Sequence, residues 1–120
     1  MRTLLAVAAE EFELKWIRRR MAGRKDVRLI AVANGPGPRL AGMAADSVRI
    51  DVDAVVSTGL CGALDDRLKI GDIFIAGTVN GLEARMPPSV SQYGTGRYIT
   101  GPLVSIDRVA GTVEEKRRLR

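Results

Sequence analysis

"VVSTGLCGALDDRLKIGDIFIA", residues 55–76, joins two apolar runs through a stretch of small residues. The first run stops at Ser57 and the second starts after Gly71-Asp72. Short apolar runs bounded by turn residues read as strands. Small residues between them mean one of two things. Either the bend is tight, or something must come close to the backbone there.

Working outward, "DAVVS" (53–57) is the third strand of the chain and "GDIFIAGTV" the fourth. Upstream, "TLLAVAA" (3–9) reads as the first strand. Glu10-Glu11 then open a helix, where carboxylates suit the positive end of the helix dipole. Phe12, Trp16, Ile17 and Met21 recur at helical spacing and are expected to face a sheet. Gly23 is a stop signal. "VRLIAVA" (27–33) is the second strand, followed by "NGPGP" and a helix with Pro38 in its first turn. That helix is expected to reach about Val48, with Leu40, Ala44 and Val48 on one face. Its small residues, Ala41, Gly42, Ala44 and Ala45, permit close approach to a sheet. Strand, helix, strand, helix, strand predicts an α/β fold with right-handed crossovers and the first three strands parallel. Residues 80–101 carry two prolines and four glycines and read as a long surface excursion holding at most a short strand. "PLVSID" (102–107) is expected as a strand. "TVEEKRRLR" starts a helix, with Thr112 and Glu115 at capping-box spacing.

Composition bounds the function. The 120 residues are 46% apolar and 28% charged, which suits one domain spanning 1–120. No run of 18 apolar residues signals a membrane helix. Cys61 is the only cysteine, so no internal disulfide can form, in keeping with a cytoplasmic location. There is no histidine, which removes Ser-His-Asp and Cys-His catalysis and most zinc sites; no metal is expected. The formal charge is +5, with seven basic residues between Lys15 and Arg28 and four in the last five positions. Solvated helix faces account for these better than nucleic-acid binding, because aromatic stacking partners are scarce.

In open parallel sheets, ligands gather at the carboxyl ends of the strands. Three loops leave such ends: "AAEE", "ANGPGP" and "STGLCGAL". The two glycine-rich loops offer backbone N–H groups to a phosphate or a sugar. A dinucleotide fingerprint fails, because Leu40 stands where the third glycine belongs. No Gly-Lys-Ser/Thr occurs, so the P-loop pattern is absent.

"STGLCGALDDRLKIGDIFIA" resembles the signature region of the nucleoside phosphorylase and nucleosidase superfamily. There a strand ends in a T-G-x-x-G-x-L turn, and L-K-x-G-D-I leads into the next strand. The matching residues are Thr58, Gly59, Gly62, Leu64, Leu68, Lys69, Gly71, Asp72 and Ile73. "AVAAEE" is similar to the family's opening strand with its acidic exit, and "NGPGP" to its S-G-x-G loop. The resemblance spans nearly the whole chain. It implies a three-layer α/β fold with a mostly parallel or mixed twisted sheet and flanking helices. It also implies cleavage of the N-glycosidic bond of a purine nucleoside by phosphate or water. No cofactor is implied beyond inorganic phosphate as co-substrate, and a homo-oligomer is the common assembly.

By resemblance, Ser57, Thr58, Gly59, Leu60, Cys61 and Gly62 would lie against the sugar. Gly35 and Gly37 would line the nucleophile side, and Glu11 is the candidate catalytic acid. Three departures qualify this. Ser57 and Leu60 stand where many purine phosphorylases carry phosphate-gripping Arg and Ser. Phe12 takes the place of the third acid of the nucleosidase branch, leaving Glu10 and Glu11. The ribose-binding Val-x-Met-Glu segment and the purine-protonating Asp would follow the helix that begins at Thr112. The expectation is therefore a truncated family domain, its C-terminal part missing, inactive as a 120-residue chain. Alternatives from other classes are a non-catalytic small-ligand-binding or oligomerisation module, and a basic nucleic-acid-binding domain.

Overall fold

The computed structural model describes residues 1–85, 98–106 and 112–119. In chain order its elements are β1 (Arg2–Ala8), a 3-10 turn (Glu11–Leu14), α1 (Lys15–Met21), β2 (Val27–Ala33), α2 (Pro38–Ser47), β3 (Ala54–Ser57), β4 (Ile73–Val79), β5 (Leu82–Glu83), β6 (Tyr98–Leu103) and α3 (Val113–Leu119). They fall into two compact units, one built on Met1–Cys61 and the other on Gly62–Ser105. The class is α/β, with parallel and antiparallel strand pairs and flanking helices.

In the first unit the strand order is β2-β1-β3, all parallel. β1 pairs along its whole length with β2, from Arg2 opposite Val27 to Ala8 opposite Ala33. On its other side Leu4–Val7 pair with Ala54–Ser57. Asp53 anchors the start of that ladder: its N–H donates to the Thr3 carbonyl at 2.8 Å, and its carboxylate accepts the Thr3 N–H at 2.6 Å.

The central strand is apolar on both sides because it is covered on both sides. Leu5 and Val7, with Ile30 and Val32, meet Ala41, Ala44, Ala45 and Val48. On the opposite face Ala6 and Ala8, with Leu29, Ala31 and Ala33, meet Leu14 and Ile17. Large side chains on the sheet face small ones on α2. Mostly small ones on the sheet face large ones beneath the 3-10 turn and α1. This size complementarity gives three layers around β1.

Two readings of the sequence need correction here. Phe12 and Trp16 do not face the sheet; they are 63% and 67% exposed. The chain leaves Glu10 in a 3-10 turn, with about 3.0 residues per turn. The register of the later helix therefore shifts, and Leu14 and Ile17 take the inner positions. Trp16 instead packs its ring beneath Lys15 and Arg19, at 5.7 and 5.2 Å from its centroid. The second correction concerns the strand expected at 102–107. It spans Tyr98–Leu103, because parallel pairing with β4 runs from Ile73 opposite Tyr98 to Val79 opposite Leu103. Asp107 of that expected strand, and residues 86–97 of the expected excursion, lie outside the described residues.

The second unit holds a sheet of order β5-β4-β6. At the start of α3, Thr112 Oγ1 accepts the Glu115 N–H at 3.1 Å, as the capping spacing predicts. Turns are locally closed. Between α1 and β2, the Arg24 guanidinium grips Asp26 with two bonds of 2.9 and 2.6 Å and holds that carboxyl below its usual range.

Leu14 is completely buried, whereas Trp16 is exposed. Leu14→Ala is expected to lower unfolding free energy by about 2–5 kcal/mol, as core truncations do. Trp16→Ala should change it by about 1 kcal/mol or less, the scale of an exposed cation–π contact. Urea denaturation of the two variants checks this; the reverse order would restore the inward placement of Trp16.

Candidate functional site

Because β1, β2 and β3 are parallel, their carboxyl ends lie on one edge of the sheet, and three loops leave it together. Hydrogen bonds extend past the strand ends and tie these loops to β1. The Thr58 N–H donates to the Val7 carbonyl at 2.9 Å. The Asn34 N–H donates to Ala8 at 3.3 Å, and the Gly35 N–H to Ala9 at 2.8 Å. Each loop thus starts from a fixed point.

Glu13 joins the first loop to the third. Its Oε1 accepts the Glu10 N–H at 2.9 Å, and its Oε2 accepts the Leu60 N–H at 2.6 Å. Gly59 makes this approach possible. It adopts φ +150°, and a Cβ built there would collide with the Glu13 carboxylate. A side chain at this position would meet a backbone penalty and would push the Glu13 carboxylate out of its bridge.

The Gly35–Gly37 loop is shaped by conformation. Both glycines have positive φ, +93° and +94°. A Cβ at Gly35 would lie 2.8 Å from Leu40 Cδ1. Gly37 precedes the first turn of α2, Pro38 takes the first helical position, and Gly37 accepts the Ala41 N–H at 3.1 Å. The Asn34 side chain donates to the Leu40 carbonyl at 2.9 Å, closing the loop on the helix.

The other residues singled out in the sequence are placed as follows. Glu11 is exposed and ion-paired with Arg18 at 2.7 Å; Arg18 also donates to the Ala31 carbonyl at 3.3 Å. Ser57 ends β3 and Thr58 follows it as the last ladder donor. Leu60 and Cys61 are exposed, the latter a free thiol. Gly62 opens the second unit. There the rest of the signature forms a turn into β4. The Lys69 N–H donates to the Asp72 carboxylate at 2.8 Å, the Asp72 N–H returns to the Lys69 carbonyl at 3.0 Å, and Gly71 has φ +94°. So Lys69, Gly71 and Asp72 shape a bend. Among the described residues, no group of three His, Cys, Asp or Glu side chains could hold a metal ion. No described helix is long and apolar enough to cross a membrane.

Glu13 is the site residue that the sequence reading missed. One signal was present: Glu13 stands three residues after Glu10, the spacing at which a side chain reaches back to a helix-start N–H. Nothing in the sequence announced the second bond, to a residue 47 positions away.

A family model described as the phosphorylase superfamily matches residues 5–117. No curated protein and no solved structure matches the chain.

The two glycines of the 59–62 turn are expected to behave differently. Gly59→Ala should cost about 1–3 kcal/mol from its backbone conformation, and it should displace the Glu13 carboxylate from the Leu60 N–H. Gly62 is not among the positive-φ glycines, so Gly62→Ala should be tolerated at well under that cost. Thermal or urea unfolding of both variants checks the contrast.

Proposed function

The chain belongs to the phosphorylase superfamily, and from that membership we propose that it acts on the N-glycosidic bond of a purine nucleoside, with phosphate or water as nucleophile. The observation that carries this reading is the tying of three loops at one end of a parallel sheet, two of them rich in glycine and the third acidic.

In this reading the Thr58–Gly62 turn lies along the ribose, with Ser57 at its start and Cys61 as a small wall rather than a nucleophile. Gly35 and Gly37 present backbone on the nucleophile side; the Gly35 N–H is taken by the Ala9 carbonyl, so the Gly37 N–H is the donor that a dianion would meet there. Glu11 is the proposed acid–base group, its orientation set by Arg18. Positive charge develops on the sugar as the bond breaks, so a loop edge rich in carboxylates suits that face. Inorganic phosphate is the proposed co-substrate, and a cytoplasmic homo-oligomer the proposed setting.

Departure of a purine at neutral pH needs a positioned acid, and such an acid contributes about 10²- to 10⁴-fold. Two of the carboxylates at these loops have other partners: Glu11 is paired with Arg18, and Glu13 with two backbone N–H groups. Residues 1–120 alone are therefore expected to bind nucleoside or phosphate at the loops and to turn over poorly. The test uses the folded polypeptide with adenosine, inosine and methylthioadenosine, with and without phosphate. Purine release is followed by absorbance, and binding by amide shift mapping. Shifts at residues 34–37 and 58–61 support the reading. Shifts confined to 15–28 favour a basic nucleic-acid-binding surface instead, and clear turnover points to Glu11 as the first residue to mutate.

A further inference from the structure

We propose that Glu13 is a positioning residue that fixes the turn after β3, and hence the backbone lying along the sugar; this rests on the functional reading above. Three features converge on it. Glu13 is anchored from beneath, because the next residue, Leu14, is completely buried against Ala6 and Ala8. Its carboxylate bridges two loops by accepting the Glu10 and Leu60 N–H groups. Gly59 leaves the space that the carboxylate fills.

The ladder between β1 and the chain following β3 reaches Thr58, whose N–H donates to Val7. Beyond it, the Leu60 N–H finds its acceptor not in another strand but in a side chain rooted in the core. Charge-assisted bonds of this kind are short and roughly twice as strong as neutral ones. Glu13 thereby does for Leu60 what a neighbouring strand does for Thr58. It acts through backbone amides and need not touch the ligand.

The carboxylate also selects the shape of the turn. With Leu60 N–H directed at Glu13, the Leu60 side chain is turned outward, 80% exposed, and Cys61 follows it into solvent. Replacement by Gln keeps the size but loses the charge, and leaves one oxygen acceptor where two were used. One of the two bonds must then be given up, which separates the bridge from simple bulk.

The test uses the whole 120-residue chain with Glu13→Gln and Glu13→Ala. In the unaltered protein the Leu60 and Glu10 amides should both be protected from hydrogen exchange. Glu13→Ala should quicken exchange at both by about tenfold or more, the scale of one charged hydrogen bond. Glu13→Gln, with one oxygen acceptor left, should quicken it at one of the two. Adenosine, used as the probe, should bind about tenfold more weakly to Glu13→Ala, with partial recovery in Glu13→Gln. Leu60 and Glu10 amides whose exchange is unchanged by Glu13→Ala overturn the bridge. A bridge confirmed by NMR with unchanged adenosine affinity overturns the positioning role. Failure of the unaltered protein to bind adenosine sinks the functional reading, while the amide exchange still decides the bridge.

Discussion

The site depends on one constraint: β1 is paired on both edges and covered on both faces. Leu5, Ala6, Val7 and Ala8 are each 5% exposed or less. A strand so enclosed cannot shift by one residue without turning Leu5 and Val7 away from α2 and pressing them toward Leu14. Its register with β2 and β3 is thereby fixed, and so is the level at which all three strands end. The bonds from Thr58, Asn34 and Gly35 all terminate on carbonyls of Val7 through Ala9. The loops inherit their mutual placement from these three consecutive acceptors.

Elements whose signals are local were legible in the sequence. β1, β2 and β3 lie within a residue of their expected bounds, because each is a short apolar run closed by turn residues. α2 starts at Pro38 and buries Ala44, as the spacing of its apolar residues indicates. What was not legible depended on phase or on distant partners. Ile17 faces the sheet as expected, but a 3-10 turn of four residues puts Leu14 beside it and leaves Phe12 and Trp16 outside. Both stripes are apolar, so pattern alone did not separate them. β6 begins in a segment with weak periodicity, and its pairing with β4 defines it better than its own residues do. Of the site, the glycines at 35, 37 and 59 were readable as places where backbone is special. The role of Glu13 was not, because half of it lies 47 residues away in Leu60.

The basic stretch between Lys15 and Arg28 is drawn largely into the chain's own contacts. Arg18 pairs with Glu11 and reaches a β2 carbonyl, Arg19 and Lys15 lie over Trp16, and Arg24 holds Asp26. These pairs are solvent-exposed, and exposed pairs are individually worth only about 0–1 kcal/mol. Their effect is on orientation more than stability. Trp16 stacks with cations of its own helix, which leaves less of its ring available for a base. The formal charge of +5 is thus a weaker pointer to nucleic acid than its size suggests.

Glu11 and Glu13 show how one short acidic stretch can be divided between two tasks. They are two residues apart on a tight turn, so their side chains leave it in different directions. One meets Arg18 on the helix side, and the other meets Leu60 on the side of the third loop. The partner of Glu11 is a long side chain that can move, whereas the partners of Glu13 are backbone N–H groups. A carboxylate held by backbone amides cannot follow a ligand, since its partners belong to the scaffold. That rigidity suits a support and is poorly suited to proton transfer, which requires a group free to change partners. Within the proposed function Glu11 is the candidate for the chemistry and Glu13 for the geometry, a division that follows from the turn that separates them.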